Sequence, residues 1–598
     1  MRCVKDLTAW LESEYTVSHL MVNHEFCPPE IEGDITINCF RFAKSLKRNP
    51  MEVAARVTEF LSSHGDVRLA TCTKAFVNVT LETAALFGDT VADREALLDT
   101  VLLPEAERCR ILIEYPAPNS NKPLHLGHVR NIALGSSIVA ILARVGHESI
   151  PVNLVNDRGI HISKSMIAYE RWGEGTDPQK SGTKGDHLVG DFYVKYNAAL
   201  QDQLAALRKD DPSLEAESDD ALFERTEIGA AAQEMLKKWE AGDSAVRELW
   251  EKMNRWALDG FDQTFARTGV AFEKIYLESE TYKLGKKIVD RGLEEGLFER
   301  RDDGAVVVDL ESVKLGTKVL LRPDGTSVYM TQDLGTTDLK HKDFEPHRQI
   351  WIVGDEQIHH FKVLFAILGT LGYGWADKLH HMAYGMVDLP TGKMKGREGT
   401  VVDADDLFDE MEALARLACE AACTERGDAL PEDIDHRARV IGQGALKFWL
   451  LKFKPRSRIL FDPAQSINLK GDTGPYVQYA CARISSILAK EEVSEGRDGP
   501  SAQVDWSVLD RPEERNLALR CADYGRTVRR AAADLDPSVL ADYLLSLAKE
   551  FSRFYRACPV LNADSPSLRT ARLALCASVL ELLRDGLSTL TIDYLESM

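Results

Sequence analysis

Arg110-Ile-Leu-Ile-Glu-Tyr-Pro-Ala-Pro-Asn-Ser-Asn-Lys-Pro-Leu-His-Leu-Gly-His-Val-Arg-Asn131 reads as a strand, a loop and the first turn of a helix, and the fold class follows from it. Arg110 to Tyr115 is an apolar, β-prone run. Beyond it, Val129, Ile132, Leu134, Ile138, Val139, Ile141 and Leu142 are apolar nearly all round a helix that runs to about Arg144, as expected of a helix buried against a sheet. The chain returns through Ser149-Ile-Pro-Val-Asn-Leu-Val155, which completes a right-handed βαβ unit. His125, Gly127 and His128 then sit at a helix mouth. Unpaired backbone N–H groups and the positive end of a helix dipole favour a phosphate there, and imidazoles add donors aimed at a phosphoryl centre.

Working outward, strand, loop and helix alternate from about Glu107 to Asp405, the pattern of a parallel sheet with helices on its faces. This predicts a Rossmann-like catalytic domain over 108–405, interrupted by a polar, mostly helical insertion at about 169–253. No Gly-x-Gly-x-x-Gly follows a strand and no Walker A sequence occurs, which disfavours NAD enzymes and P-loop NTPases. Residues 1–107 alternate helical patterns such as Pro50-Met-Glu-Val-Ala-Ala-Arg-Val-Thr-Glu-Phe60 with short strands such as Ala75-Phe-Val-Asn-Val-Thr80. They read as a small α+β module closed by an acidic link from Val91 to Glu107. From 435 to 598 strands disappear and amphipathic runs, Ser538 to Ala548 and Leu573 to Leu580 among them, predict an all-α bundle. The fold class is multidomain α/β.

With 598 residues and about 150 residues per domain, several cores are expected. The 44% hydrophobic and 28% charged composition is that of a globular protein. The amino terminus is charged and lacks an apolar leader, and no uninterrupted apolar stretch approaches the roughly 18 residues of a membrane helix, so a cytoplasmic location and no membrane association are expected. Eleven cysteines in apolar runs fit reduced thiols. Cys419 and Cys423 lie one helical turn apart without a second ligand pair, and read as helix packing; no zinc is predicted. The net charge of −21 argues against a generic nucleic-acid or DNA binder. Between Val440 and Lys490, however, eight Lys/Arg face two Asp, a basic strip compatible with one oriented RNA ligand or with a solvated surface.

The full segment, with Asn119, Asn121 and Lys122 before His-Leu-Gly-His and Arg130 and Asn131 after it, resembles the long HIGH signature of arginyl-tRNA synthetases, a class I aminoacyl-tRNA synthetase family. Leu389-Pro-Thr-Gly-Lys-Met-Lys-Gly-Arg-Glu-Gly-Thr400 resembles the KMSKS loop. Gly396 stands where the second lysine of that motif falls, and the resemblance implies that Lys122 takes over its role. Gly33 to Asn38 and Thr73 to Asn78 resemble the family's N-terminal domain, which contacts the tRNA elbow. Gly471 to Ser485 resembles the start of its anticodon-binding domain.

A guanidinium substrate needs a carboxylate able to accept two parallel N–H bonds and an aromatic or polar wall. Tyr329 and Asp333, four residues apart, share one face if the segment is helical; the other reading is that Asp333 caps a helix beginning at Leu334. The resemblance implies that Asp333 binds the guanidinium and Tyr329 lines the pocket, with Asn119, Glu148, Asn153 and Gln357 also in contact with arginine. It implies ATP held at His125, Gly127, His128, Lys393 and His360, with Mg²⁺ carried on the substrate and catalysis by His125, His128, Lys122 and Lys393. Tyr476, Tyr479 and Arg483, at helical spacing, offer two rings and a guanidinium to unstacked bases, the alternative being packing inside the bundle. Tyr555 and Met598 match further tRNA-binding positions. The implied activity is ATP-dependent charging of tRNA(Arg) with L-arginine by a cytoplasmic monomer. The rival readings are a different class I enzyme, such as a cysteinyl or glutamyl synthetase or a small HIGH-bearing nucleotidyltransferase, which the missing zinc ligands, the long HIGH form and the Tyr329/Asp333 pair oppose, and a catalytically silent tRNA-binding paralogue, which the Gly396 replacement supports and the intact histidines, Lys122 and pocket residues oppose.

Overall fold

The computed structural model describes residues 1–27, 30–390, 402–495 and 504–598. The described chain divides into two compact units, one comprising Pro104–Leu414 with Trp449–Ser466, the other Met1–Leu103, Ala415–Phe448 and Ile467–Met598.

The first unit is built on five parallel strands, β1 (Arg110–Glu114), β2 (Glu148–Val155), β3 (Lys274–Leu277), β4 (Arg348–Gly354) and β5 (Leu379–Tyr384). Their order across the sheet is β5-β4-β1-β2-β3, with Ile113 paired to Pro151 on one side and to Ile350 on the other. The connection from β1 to β2 is α1 (Leu126–Arg144), which matches the expected span. By composition this helix is apolar enough to cross a membrane, yet it is mostly buried inside the protein. Gly135 lets it lie on the sheet: a Cβ there would stand 2.3 Å from the Tyr115 ring.

Between β2 and β3 the chain leaves the sheet and forms helices that include α2 (Gly185–Asp210) and α3 (Ser244–Thr268). They share an apolar core of their own around Tyr196, Leu204, Ala232 and Trp239. A three-stranded antiparallel sheet, Glu299–Arg300, Val306–Asp309 and Thr317–Leu321, precedes α4 (Tyr329–Phe344); the sequence reading did not separate it from the parallel strands. Finally α5 (Ile358–Thr370) leads from β4 to β5. The chain therefore leaves β1 toward one edge of the sheet and β4 toward the other. That reversal opens a crevice outside the carboxyl ends of β1 and β4, where ligands of doubly wound sheets bind.

Arg130 on α1 is fully buried. Its two terminal nitrogens donate to the carbonyls of Gly385 (2.7 Å), Met386 (3.2 Å), Pro455 (3.0 Å) and Ser457 (2.8 Å). One guanidinium thus ties the helix to the segment after β5 and to a distant loop, beside a short parallel pairing of Val387–Asp388 with Ile459–Leu460. This last pair is a difference from the sequence reading, which expected no strand beyond 435. It is two residues long, too short to show periodicity.

In the second unit an antiparallel sheet of His24–Phe26, Ile35–Asn38, Phe76–Leu81 and Val67–Thr73, paired in that order, carries the amino-terminal module. The segment read as an acidic link forms a short helix, Arg94–Asp99, capped by Asp93. Carboxyl-terminal helices Gly474–Glu495, Pro512–Ala522, Tyr524–Asp534, Pro537–Ala557 and Pro566–Thr589 make the bundle. The module and the bundle share one core. Arg515 reaches Asp34 at 2.5 Å and the Leu81 carbonyl at 2.9 Å, and Phe87 stacks on Trp506 with centroids 5.8 Å apart.

Arg130→Met keeps the volume and removes every donor from these four carbonyls. Leaving buried acceptors without charged donors should cost about 3 kcal/mol or more, read as a lower denaturant midpoint in the transition of the sheet unit by tryptophan fluorescence. An unchanged midpoint would show that water or other donors replace the guanidinium.

Candidate active site

The carboxyl ends of the parallel strands converge on one edge. β1 leads to the His125 loop, β2 to Asp157 and Arg158, β3 to Glu278, and β4 to Gln357 and His360. At the mouth of α1 the two histidines cap the helix reciprocally. Nδ1 of His125 accepts from the Gly127 N–H and Nδ1 of His128 accepts from the His125 N–H, each at 3.2 Å. The rings lie 3.9 Å apart. An imidazole that accepts at Nδ1 carries its proton at Nε2. Both rings are thus set as neutral Nε2–H donors. Burial, with the nearby Lys122 charge, lowers His125 to about 4 and holds His128 well below the ordinary imidazole value.

Lys122 is largely withdrawn from solvent, and burial alone lowers its ammonium below the ordinary lysine range. Among the described residues no carboxylate pairs with it. A poorly hydrated cation and two N–H donors at a helix N-terminus leave an electrostatic deficit that an anion fills. Lys393 lies outside the described residues.

The second half of the site is acidic. Tyr329 is the first residue of α4 and is 74% exposed; Asp333 follows one turn later, so it lies within the helix and does not cap one starting at Leu334. His360 Nε2 stands 2.5 Å from Asp333 Oδ2, and this contact raises the His360 pKa. His360 therefore faces the carboxylate rather than standing apart with the nucleotide groups. Gln357 is exposed at the start of α5. Next to them are groups that sequence reasoning missed. Glu278 is pushed up to about 7 by burial and by the charges of Asp157 and Asp333. With its amide turned so that each atom meets a complementary partner, Gln332 gives an N–H to Glu278 at 3.0 Å and accepts from Arg158 at 3.2 Å, while Arg158 lies over the Tyr282 ring at 4.1 Å. A strand-end rule applied to Tyr276-Leu-Glu278 would have found Glu278; Arg158 and Gln332 gave no separate signal.

One of the expected arginine contacts takes another place. Glu148 begins β2, is exposed and pairs with Arg110 at 2.9 Å. At about 3.3 Å per residue it lies some 23 Å from the carboxyl end of its strand, so it does not join Asp333. Asn153 is fully buried. Its carbonyl oxygen accepts from the Ala117 N–H at 3.2 Å, and its amide nitrogen has no partner among the described residues; the structure gives it a hold on the loop after β1. Asn119 is exposed on that loop, bridged to Asn156. Beneath it the buried pair Glu114–Lys340 closes the carboxyl end of β1.

In the other unit, Arg483 lies over the Tyr555 ring at 4.3 Å and over the Tyr479 ring at 5.9 Å. Tyr479 is 38% exposed and, with Met598, Cys419, Cys423 and Leu469, lines an apolar hollow. Tyr476 turns instead to Ser552, at 3.1 Å. The basic strip is not one surface: Lys447 is buried and donates to the Thr591 carbonyl at 2.7 Å, and Arg458 is paired with Asp388.

The capping geometry has a consequence for titration. In ¹H–¹⁵N spectra both His125 and His128 should remain in the Nε2–H form throughout the neutral range, with His125 protonating only near pH 4. The unfolded chain takes up these protons near 6.5 and the folded chain does not, so stability falls as pH drops below that value. Titration of either ring near pH 6.5 in the folded protein would contradict the reciprocal cap.

Comparison with known proteins agrees with this arrangement along the chain. Residues 94–462 match the model of the catalytic domain of class I (R) tRNA synthetases, 477–598 the DALR anticodon binding domain, and 5–81 the arginyl tRNA synthetase N terminal domain. The chain is 42% identical over 571 residues to an arginine–tRNA ligase of Parabacteroides distasonis, covering 95% of this chain and 94% of that protein. It is 42% identical over 593 residues to one of Treponema denticola, covering 96% and 95%. The solved Thermus thermophilus arginyl-tRNA synthetase superposes with a TM-score of 0.81 at 29% identity, over 100% of both chains. A parallel sheet with two capping histidines at its switch point, an amino-terminal α+β module and a helical carboxyl-terminal bundle all fall within the matched spans, and the chain belongs to the class I arginyl-tRNA synthetase family.

Proposed function

We propose that this protein ligates L-arginine to tRNA(Arg) at the expense of ATP. The observation that carries the reading is the polarity of the crevice. One end offers Lys122 and two Nε2–H donors, the other Asp333 and Glu278. Triphosphate and guanidinium are the ligands of matching sign. The arginine carboxylate attacks the α-phosphorus in line and pyrophosphate leaves, giving arginyl-adenylate. His125, His128, Lys122 and Lys393 stabilise the charge that builds on the phosphates. The 2′-hydroxyl of the terminal adenosine of the tRNA then attacks the acyl carbon and AMP leaves. Neither step calls for a protein nucleophile.

Mg²⁺ enters with ATP and supplies charge neutralisation on its phosphates. The groups at the helix mouth are N–H donors and an ammonium, so phosphates and water furnish the metal's ligands. Asp333 takes the guanidinium, Tyr329 and Gln357 border it, and Asn119 reaches the amino-acid end. The amino-terminal module meets the tRNA elbow. Tyr479, Arg483, Tyr555 and Met598 receive anticodon bases, with Tyr476 at their edge. We assign the protein to the cytoplasm as a monomer.

Charging of unfractionated tRNA with each of the twenty radiolabelled amino acids tests this reading. Label from arginine alone is expected, with little activation when tRNA is omitted. Label from another amino acid would mean that the acidic end was misread, and tRNA binding without charging would favour a silent paralogue.

Two substitutions separate the ends of the crevice. His128→Ala should lower kcat by about 10²- to 10³-fold, the cost of one transition-state donor, with tRNA affinity kept. Asp333→Ala should abolish use of arginine. A near-wild-type kcat in the first, or an unchanged KM for arginine in the second, would remove that residue from its role.

A further inference from the structure

The helical insertion between β2 and β3 has a polar cluster on the face that meets the His125 loop. His187 on α2 lies 3.2 Å from Asp403 and 3.5 Å from Asp405. Lys184 reaches Asp405 at 2.7 Å and Thr264 of α3 at 2.5 Å. Arg267 of α3 holds the same segment through the Asp405 carbonyl at 3.3 Å and through Asp409 at 2.5 Å. The segment so held is the partner of the catalytic loop. Leu126 N–H donates to the Val402 carbonyl and Ala404 N–H to the Leu124 carbonyl, both at 3.0 Å, which pairs His125 with Asp403 in an antiparallel bridge. One turn beyond His187, Gly190 abuts Pro123 so closely that a Cβ would stand 2.7 Å from its ring.

From this we infer that His187 is a positioning residue for adenylate formation: seated between Asp403 and Asp405, it fixes the Val402–Ala404 segment that backs Leu124–Leu126 and so sets His125 at the helix mouth. The inference rests on the proposed role of His125 at the phosphates. A shift of about an ångström in such a donor is enough to cost up to two orders of magnitude in rate.

The charges around His187 define how it works. Asp403 faces it from the segment leading into the helix Ala404–Arg426 and Asp405 from the first turn of that helix, Lys184 from just before α2, Asp186 and Asp191 from α2 itself, and Arg267 from α3, 3.7 Å from Asp405. Lys122 belongs to the adjoining loop. The contact with the Asp405 carboxylate at 3.5 Å raises the His187 pKa, helped by the charges of Asp403 and Asp186 and opposed by burial and Lys184. A raised histidine contributes its cationic contacts fully below its unfolded value and loses them as pH rises through the folded one. The hold on His125 weakens on the alkaline side.

The test uses the full-length enzyme with tRNA, arginine, ATP and Mg²⁺, and four proteins besides wild type: His187→Ala, His187→Gln, His125→Ala and the His125→Ala/His187→Ala double variant. His187→Ala is expected to lower kcat about 10- to 100-fold with KM for arginine little changed. In the His125→Ala background the same change should cost less than about twofold, because the residue it positions is gone. Wild type is expected to show a decline in kcat on the alkaline side, and His187→Gln, which keeps a donor but cannot take a proton, should lose it. A wild-type kcat in His187→Ala, an undiminished loss in the double variant, or a His187→Gln pH profile identical to wild type would each overturn the inference. Should the alanine variant fail to fold, the glutamine profile decides. Failure of wild type to charge arginine would instead refute the proposed function.

Discussion

The site depends on how the first turn of α1 satisfies its own backbone. A helix begins with N–H groups that have no intrahelical acceptor. Serine, threonine, aspartate or asparagine usually supplies one; here two imidazoles do so, each through Nδ1. An acceptor so used fixes the tautomer and turns the remaining N–H outward. Capping and the presentation of donors are one and the same arrangement. Burial completes it, because a charged ring in that position would lack both a cap and a counter-ion.

Around that turn the protein keeps its charges apart. The chain carries a net charge of −21, yet Lys122 stands unpaired among the described residues while Asp333, Glu278 and Asp157 gather where β2, β3 and α4 meet. Burial, with the charges of Asp157 and Asp333, lifts Glu278, which leaves an acidic end with a place for a cation. Arg158 only partly offsets those charges, at 3.7 Å from Glu278. Elsewhere buried charges are closed off in pairs: Glu114 with Lys340, Glu514 with Arg572, and Asp34 with Arg515. Pairing inside the framework and imbalance inside the crevice mark the difference between holding the fold and binding a ligand.

Much of this was legible beforehand because it is written in short-range pattern. The strand from Arg110, the helix to Arg144 and the return strand ending at Val155 are each long, strongly apolar and bounded by turn residues, and the structure follows them within a residue. Tyr329 and Asp333 fall on one helix face because four residues make about one turn. Pairings between distant segments were not legible. Nothing near Glu148 in the chain says that Arg110 is its partner. Equally, Lys447 counts as a surface charge in any tally of the sequence and is buried under Thr591.

What the sequence determined by itself is therefore local: which segments are strands or helices, that a histidine pair stands where a helix begins, and which residue types are available for phosphate and guanidinium. Periodicity and capping act over one or two turns, and both are visible in the order of residues. The tertiary structure decided which ends of the strands face the crevice, that His360 meets Asp333, that Asn153 supports a loop from within, and that an insertion helix reaches the His125 loop through Asp403. Each of these joins residues tens to hundreds of positions apart. Such contacts are set by how apolar faces pack and how buried charges find partners, and no local pattern along the chain encodes them.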